Sequence, residues 1–200
     1  MSLRSLLFLA LLAPAAALAE VETYTIDNAH SFANWAIRHT VSKTSGTFSD
    51  ITGTVKVDRA KLANSSADVT IAVLSLNSSH RERDAHVLSN AFLDVLKFPV
   101  MRFVSTAVKP TGPDSGILYG KLTLHGVTRD IHFPFRILGF GPDTTPTGAG
   151  KVRAGFEGHT TLKRSDYGID WGLDFPGGGP VGDEIEVTLL VEGVRPVNQP

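Results

Sequence analysis

Apolar and polar residues alternate along most of the chain, in runs of about ten residues that are separated by clusters of turn-forming residues. Strict two-residue alternation is typical of a strand that buries one face and exposes the other. Eight such runs are present, with these residues on their apolar faces: Ala33, Trp35, Ile37; Ile51, Gly53, Val55, Val57; Ala67, Val69, Ile71, Val73; Met101, Phe103, Ala107; Leu118, Gly120, Leu122, Leu124; Ile131, Phe133, Phe135, Ile137; Val152, Ala154, Phe156, Gly158; and Ile185, Val187, Leu189, Val191.

One exposed face per strand predicts an antiparallel sheet with a single apolar side, because the strands of parallel sheets are covered on both faces. Eight strands with mostly short connections favour an up-and-down barrel, which leaves no open edge. The turn near Gly126, which can adopt a positive φ, predicts a hairpin between the fifth and sixth strands. We therefore predict an all-β, eight-stranded antiparallel up-and-down barrel, with a two-sheet sandwich as the alternative.

One connection differs from the others. Over Arg81–Pro99, between the third and fourth predicted strands, the two-residue period stops. Ser79 followed by Glu82 matches a capping box, which marks the first turn of a helix. Apolar residues then recur at every fourth position: Leu88, Phe92 and Leu96. We predict one or two short helices, whose apolar stripe is buried across one end of the barrel as a cap.

The interior of an eight-stranded barrel is either filled by side chains or holds one small ligand. The inward positions include many small residues: Ala33, Gly53, Ala67, Ala107, Gly120, Ala154 and Gly158. Because protein interiors are close-packed, these positions leave volume for a ligand unless bulky residues opposite fill it. The pattern leaves a cavity and a solid core equally open. If there is a cavity, we expect Gly120 and Ala154 to border empty space.

An apolar ligand in such a barrel would contact the larger inward residues and the cap. The predicted binding residues are Trp35, Ile37, Val55, Ile71, Leu88, Phe92, Phe103, Leu122, Phe133, Phe135, Phe156 and Val187. We predict that Arg83 and His86 contact the polar head of the ligand, since guanidinium groups bind phosphate and carboxylate. The alternatives are a solvated, self-paired helix surface for Arg83 and a polar bridge to the barrel rim for His86.

Charge and cysteine content narrow the range of partners. The formal net charge is −1 and there is no basic block, which argues against nucleic acid and anionic membrane surfaces as partners. The chain has no cysteine, so it has neither disulfides nor a lipid-modified cysteine. We expect a ligand to be recognised by shape and apolar contact.

The first 19 residues match a secretory signal peptide: Arg4, an apolar run, and the ending Ala17-Leu18-Ala19. An uncleaved anchor helix is the alternative. We predict cleavage after Ala19, a mature domain over residues 20–200, and a periplasmic or secreted location.

Seven histidines are present, but their spacing does not predict a metal site. His80 and His86 are six residues apart on the predicted helix and fall on different faces. His30 and His39 are an odd number of residues apart, so they would point to opposite faces of one strand. We predict neither a metal ion nor another cofactor.

No motif for covalent or acid–base catalysis is present. The sequence lacks a Gly-x-Ser-x-Gly elbow, and the carboxylates of Asp27, Asp84, Asp94 and Glu157 would have to act in a dry interior, whereas glycosidase pairs lie in open clefts. The glycine-rich segment Pro176–Gly182 lacks the Lys and Ser/Thr of a phosphate loop. We predict a protein without catalytic residues.

Six ordered segments carry a family resemblance: YTIDNAHSFANWAIRH, GTFSDITGTVKVD, RERDAHVLSNAFLDVLKFPVMRF, GKLTLHGVTRDIHF, AGFEGHTTLKRSDYGID and VGDEIEVTLLVEG. The chain resembles the YceI-like family, bacterial periplasmic proteins that bind lipids or polyisoprenoids in a lipocalin-like barrel. The resemblance implies an enclosed isoprenoid or fatty chain with its polar end near the mouth. It places Arg83, Asp84 and His86 in the helical signature and Phe92 and Phe98 among the packed aromatics. The chain departs from the family pattern at three residues: Asn90, Ala91 and Leu93.

These observations together predict a periplasmic carrier that encloses a long-chain lipid or isoprenoid and has no enzymatic activity. We expect a monomer or homodimer without stable membrane insertion. Two alternatives stay open: a lipid-modifying or hydrolytic enzyme, and a solid-cored interaction or stress module without ligand.

Overall fold

The computed structural model describes residues 21–198 and contains eleven β-strands in one continuous sheet. The strands are β1 Val21–Ile26, β2 Phe32–His39, β3 Ser42–Phe48, β4 Ile51–Asp58, β5 Ser66–Ala72, β6 Leu76–Asn77, β7 Val100–Gly112, β8 Ser115–Leu124, β9 Val127–Pro142, β10 Lys151–Lys163 and β11 Val181–Pro196. The α-helix, α1, covers Arg81–Leu88. The predicted signal peptide, residues 1–19, lies outside the described residues. Among residues 21–198, no helix has the length and apolar composition that a membrane span requires.

The sheet closes on itself, which confirms the predicted eight-stranded antiparallel barrel. The ring runs β1-β4-β5-β7-β8-β9-β10-β11, and β11 pairs back with β1. The long strand β11 also pairs with β2 along Val181–Leu190. β1 and β2 are therefore successive halves of one bent barrel strand, and β3 and β4 form a second. β3 contains only one large apolar residue, Phe48. The alternation of apolar and polar residues therefore did not predict this strand.

The two ends of the barrel are built from different connections. At the closed end, β7 and β8 are joined by a tight turn, and a short 3-10 helix, Leu62–Asn64, follows β4. The other end, which we name the cap end, carries α1, the turns over residues 89–99, the long connection over residues 164–180, and the β2–β3 and β8–β9 turns. The helical insertion lies between the third and fourth barrel strands, as predicted.

The β8–β9 hairpin at the cap end turns through only two residues, since Leu124 pairs with Val127. His125 and Gly126 have φ values of 51° and 75°, as a type I′ turn requires. A side chain at Gly126 would also collide with the ring of Phe98, whose Cε1 lies 2.5 Å from the Cβ position. Glycine therefore serves both the turn and the packing of the helical insertion.

The core at the closed end is centred on Tyr24, whose side chain is fully buried. The other buried members are Val57, Leu62, Val108, Ile137 and Ala154. The ring of Tyr24 lies 6.0 Å from that of Phe140 and 6.5 Å from that of Phe156, and its hydroxyl donates to Glu22. Side chains of several strands thus pack together around Tyr24, and Val57, Leu62, Val108 and Ile137 also border the interior cavity.

The predicted helix starts and ends differently from the expectation. Ser79 has a φ of 61° and does not cap the helix, so the capping-box prediction is wrong. His80 is the N-cap instead, and its Nδ1 accepts from the backbone N–H of Arg83 at 3.3 Å. The helix ends at Leu88 because the chain turns after Ser89, whose hydroxyl donates to the carbonyl of His86.

The predicted apolar stripe is consequently interrupted. Phe92 is buried, but Leu96 is 97% exposed, because the segment beyond Leu88 follows successive turns and not a helix.

The assumption that His30 and His39 lie on one strand is wrong. His30 lies in a 3-10 turn before β2 and His39 at the end of that strand, so the two are not on one strand as assumed.

Candidate ligand-binding site

A cavity of about 680 Å³ runs through the barrel. Its wall is formed mainly by apolar side chains from the inward faces of the strands. Eleven of the twelve predicted apolar site residues border it: Trp35, Ile37, Val55, Ile71, Phe92, Phe103, Leu122, Phe133, Phe135, Phe156 and Val187. Leu88 does not border the cavity; it packs into the core of the cap, and its neighbour Val87 borders the cavity instead.

The small inward residues contribute unequally to this space. Ala33, Ala67 and Gly158 border the cavity. Gly120 does not, because the ring of Phe103 occupies the place of its missing side chain, with Cζ 2.4 Å from the Cβ position. Ala154 is buried in the core of the closed end. The expectation that Gly120 and Ala154 border empty space is therefore wrong.

The cavity reaches exposed residues at the cap end. There β6 pairs only with Thr47 and Phe48 of β3, so the rest of β3 has β2 as its one strand neighbour. The rim of the opening is formed by polar residues from β3 and from the helical segment: Thr44, His80, Glu82, Arg83 and His86. We call this opening the mouth.

Aromatic rings join the helical segment to the connection between β10 and β11. His86 of α1 lies 5.1 Å from Phe92 and 5.2 Å from Trp171, edge-on in both cases, and Phe92 and Trp171 are themselves 5.2 Å apart. All three residues border the cavity. The cap is thus held by side-chain packing, without strand pairing between its two segments.

Arg83 is half-buried and bonded to the residues before the helix. Its Nε donates to the Ser78 hydroxyl at 2.7 Å and its Nη2 to the Ser78 carbonyl at 2.6 Å. The carboxylate of Asp84 accepts from the Ser78 backbone N–H at 3.0 Å. Arg83 is therefore not part of a self-paired helix surface, and the residue borders the cavity at the mouth. Its contact with a ligand stays a prediction, as does that of His86.

Residues 24–193 match the family described as YceI-like domain. The chain belongs to the YceI-like family. The predicted resemblance is thereby confirmed.

Known proteins similar to this YceI-like chain include a curated relative and two solved structures. The UPF0312 protein of Azotobacter vinelandii is 41% identical over 175 residues, which are 86% of each chain. The crystal structure of Burkholderia cenocepacia BcnA is similar with a TM-score of 0.73 and 26% identity, covering 84% of this chain and 98% of that one. A polyisoprenoid binding domain from Saccharophagus degradans, implicated in plant cell wall breakdown, is similar with a TM-score of 0.62, covering 86% of this chain and 98% of that one. Its identity of 15% shows a common fold alone.

Arg164 is a site-bordering residue of this YceI-like protein that the sequence analysis missed. Its side chain is buried and donates to the carbonyls of Gly182 at 2.8 Å, Ile169 at 2.9 Å and Val181 at 3.1 Å. Burial lowers the pKa of the guanidinium, while the charges of Asp183 and Asp170 act in the opposite direction. Arg164 thus fastens the connection over residues 164–180 to the barrel.

A sequence signal for Arg164 was present. It continues the inward alternation of β10 by one further step, after Phe156, Gly158, Thr160 and Leu162. A charged residue at an inward position is a sign of a buried polar role.

Trp35 contributes a polar atom to the wall. Its indole lies against Gly46, with Cζ2 2.5 Å from the Cβ position of that glycine. Its Nε1 is buried without a hydrogen-bond partner. Any side chain at position 46 would displace this ring, so Gly46 shapes the wall beside the mouth.

One group of potential metal ligands occurs among residues 21–198: Asp27, His30 and Glu192. The guanidinium of Arg153 already binds this group, with Nη1 2.5 Å from Asp27 Oδ2 and in contact with Glu192. Burial raises the pKa of Asp27, but hydrogen bonds from Arg153 and His30 outweigh it and lower the pKa. Arg153 supplies the positive charge that a metal ion would bring, and none of these residues borders the cavity.

Three of the four candidate acid–base carboxylates, those of Asp27, Asp84 and Glu157, are bound by other groups. Among them, Glu157 borders the cavity, and its carboxylate accepts from Arg136 at 2.9 Å. Asp84 accepts from Ser78, and Asp27 from Arg153. Each of these three carboxylates thus has a partner other than a second carboxylate.

Proposed function

We propose that this YceI-like protein binds one long-chain apolar molecule, of the polyisoprenoid or fatty-acid type, inside the barrel and carries it through the periplasm. The observation that carries the proposal is the cavity of about 680 Å³ with an almost entirely apolar wall and a polar mouth. Ligand pockets of proteins measure roughly 300–1,000 Å³, so the cavity has room for a ligand.

Affinity in such a cavity comes from removing the chain of the ligand from water. Each buried CH₂ group contributes about 0.8 kcal/mol. Two further groups should therefore tighten binding about tenfold, until the cavity is full. A small polar substrate would gain little from this wall.

The distribution of polar groups gives the ligand a direction. At the closed end the cavity is bordered by apolar members of the core around Tyr24, namely Val57, Leu62, Val108 and Ile137, and by Lys56, Ser65 and Ser66 around the β4–β5 connection. Arg83, His80 and His86 stand at the mouth. We infer that the chain of the ligand points to the closed end and its polar head to the mouth, within reach of Arg83 and His86. The polyisoprenoid binding named for the Saccharophagus degradans domain supports this class of ligand.

A carrier fits the site better than a hydrolase. In the part of the chain that the structure describes, no serine that borders the cavity is hydrogen-bonded to a histidine. The activated nucleophile that acyl transfer needs is therefore not assembled. The periplasmic location rests on the signal-peptide pattern of residues 1–19, and N-terminal sequencing of the mature protein tests it by its first residue, Glu20.

The first test is organic extraction of the gently purified protein followed by mass spectrometry, together with binding of prenols and fatty acids of increasing length. We expect one equivalent of a long-chain lipid and affinity that rises with chain length. A protein that is empty and takes up none of these chains would overturn the proposal.

A matched pair of variants locates the ligand. Val187 borders the cavity, and Glu186, the preceding residue of β11, is 58% exposed on the other face. V187W should reduce uptake at least about tenfold, because the added ring takes the volume of several CH₂ groups. E186W should bind as the wild type does. Equal binding by both variants would contradict a ligand inside the barrel.

A further inference from the structure

Two apolar side chains at the cap end are almost fully exposed to solvent. Val41, in the turn between β2 and β3, and Leu96, between α1 and β7, are each 97% exposed. Phe175, in the connection between β10 and β11, is 45% exposed. Three different connections therefore each present an apolar residue at the same end of the barrel.

These three residues adjoin the wall of the cavity. Val41 lies between His39 and Thr44, which both border the cavity. The ring of Phe175 is 5.6 Å from that of Trp171, another bordering residue. Leu96 closely follows Leu93, which also borders the cavity. Each of the three exposed apolar residues is thus close along the chain to residues of the cavity wall, just outside the polar rim of the mouth.

The closed end lacks this arrangement. Its exposed large apolar residues are Val21 and Val197, beside the ends of the described chain, and Leu138 on β9. They are 37–53% exposed, far less than Val41 and Leu96, and none of them borders the cavity. Exposed apolar residues that surround an opening differ from scattered ones, which need no explanation. The asymmetry indicates an apolar contact made at the mouth.

The charges near the mouth indicate whether a contact there would be electrostatic or apolar. Exposed cations such as Arg81, Lys97 and Lys163 alternate with anions such as Asp174 and Glu184. A mixed surface of this kind gains little from an anionic partner, which attracts clustered Lys and Arg. The contact must therefore depend on insertion of the apolar side chains.

We propose that the cap end docks on the surface of a lipid bilayer, with Val41, Leu96 and Phe175 inserted into the interface and the mouth facing the membrane. Single side chains on separate connections suit a deformable apolar phase, whereas a rigid protein partner needs a continuous patch of roughly 800 Å². The ligand then passes between bilayer and cavity without crossing water. This inference rests on the proposed function, because it supplies the source of the ligand.

The test is flotation of the mature protein with phosphatidylcholine vesicles. The wild type should float with the vesicles, and high salt should not release it. The double variant V41S/L96S should bind about a hundredfold more weakly, since each apolar side chain contributes roughly a factor of ten. The matched control V21S/V197S should bind as the wild type does.

Two further measurements separate this inference from the proposed function. Without vesicles, V41S/L96S should bind a short, soluble prenol as the wild type does, but take up a long prenol from vesicles more slowly. A wild type that does not float, or a double variant that floats equally well, would overturn the docking surface even if ligand binding is intact. Loss of a wild-type dimer in the double variant, measured by light scattering, would also overturn it, because a second copy would then cover these residues.

Discussion

The closed end and the cap end of the barrel both contain aromatic side chains, but different interactions hold them together. At the closed end each of the eight ring strands hydrogen-bonds to two neighbours, and the core around Tyr24 packs side chains of several strands against one another. At the cap end the ladder stops at the two-residue strand β6. The helical segment and the connection over residues 164–180 complete the barrel there by ring contacts and by the hydrogen bonds of Arg83 and Arg164.

The comparison shows how one barrel can be both stable and accessible. A complete strand ladder opens only with the unfolding of the sheet, whereas side-chain packing between two connections can separate locally. Placing the incomplete ladder beside the cavity gives a ligand a route that leaves the sheet intact. Four predictions test this difference between the closed end and the cap end, in order of decreasing effect.

The largest effect is expected from Tyr24→Ala at the closed end. Removing a fully buried aromatic side chain leaves a void in the core, so the free energy of unfolding should fall by about 3–5 kcal/mol. Tyr24→Phe keeps the ring and loses only the hydroxyl, which contacts Glu22 and Arg59, so it should cost about 1–2 kcal/mol. Urea unfolding measures both. A loss below about 1 kcal/mol for the alanine variant would show that this end is not the stable one.

Arg164→Met should have the next largest effect. It leaves the carbonyls of Gly182, Ile169 and Val181 without their donor, at a total cost of about 2–4 kcal/mol. Limited proteolysis should then cleave within residues 164–180. Lys163→Met, at the exposed neighbouring position, is the control. Unchanged stability and protease resistance would mean that Arg164 does not fasten this connection.

Arg83→Met should act more weakly and only at the cap end. It removes two hydrogen bonds to Ser78, which contribute about 1–2 kcal/mol together. Hydrogen exchange should become faster in α1 and stay unchanged in the strands of the closed end, and bound lipid should dissociate faster. Arg81→Met, an exposed position on the same helix, should show none of these changes. Faster exchange throughout the barrel would contradict a separately opening cap.

The smallest effect is a dependence on pH at the closed end. Hydrogen bonds from Arg153, followed by those from Thr145, lower the pKa of Asp143 well below its ordinary value. The charged form therefore stabilises the fold above the unfolded-state pKa of about 3.9, and this contribution is lost as the pH falls toward the folded-state pKa.

Asp143→Asn should accordingly have a lower urea midpoint than the wild type at neutral pH, and the difference should shrink below about pH 4. Asp130→Asn is the control, since its carboxylate pairs with Lys121 in an exposed position. A difference between Asp143→Asn and the wild type that does not vary with pH would show that Asp143 contributes by packing and not by its charge.

Much of the fold could be predicted because alternation records which side chains point inward. It placed Trp35, Ile37 and Val187 on the wall of the cavity. It could not place Leu96, because where a helix ends depends on local hydrogen bonds, here those of Ser89. It also passed over Arg164, because the three backbone carbonyls that accept from its guanidinium are brought to it only by the fold.

The amino-acid sequence by itself determined the class of fold, the inward direction of most strand residues and the position of the helical insertion. It was wrong for Ala107, because an irregularity of the β7–β8 pairing after Ser105 leaves Ala107 exposed and buries Val108 instead. Only the tertiary structure decided that the barrel contains a cavity and which inward positions border it. The ring of Phe103, on the neighbouring strand, occupies the space beside Gly120, whereas Ala67 borders the cavity. The physical reason is that periodicity fixes which way a side chain points, while the distance to the opposite wall depends on how the strands bend and close.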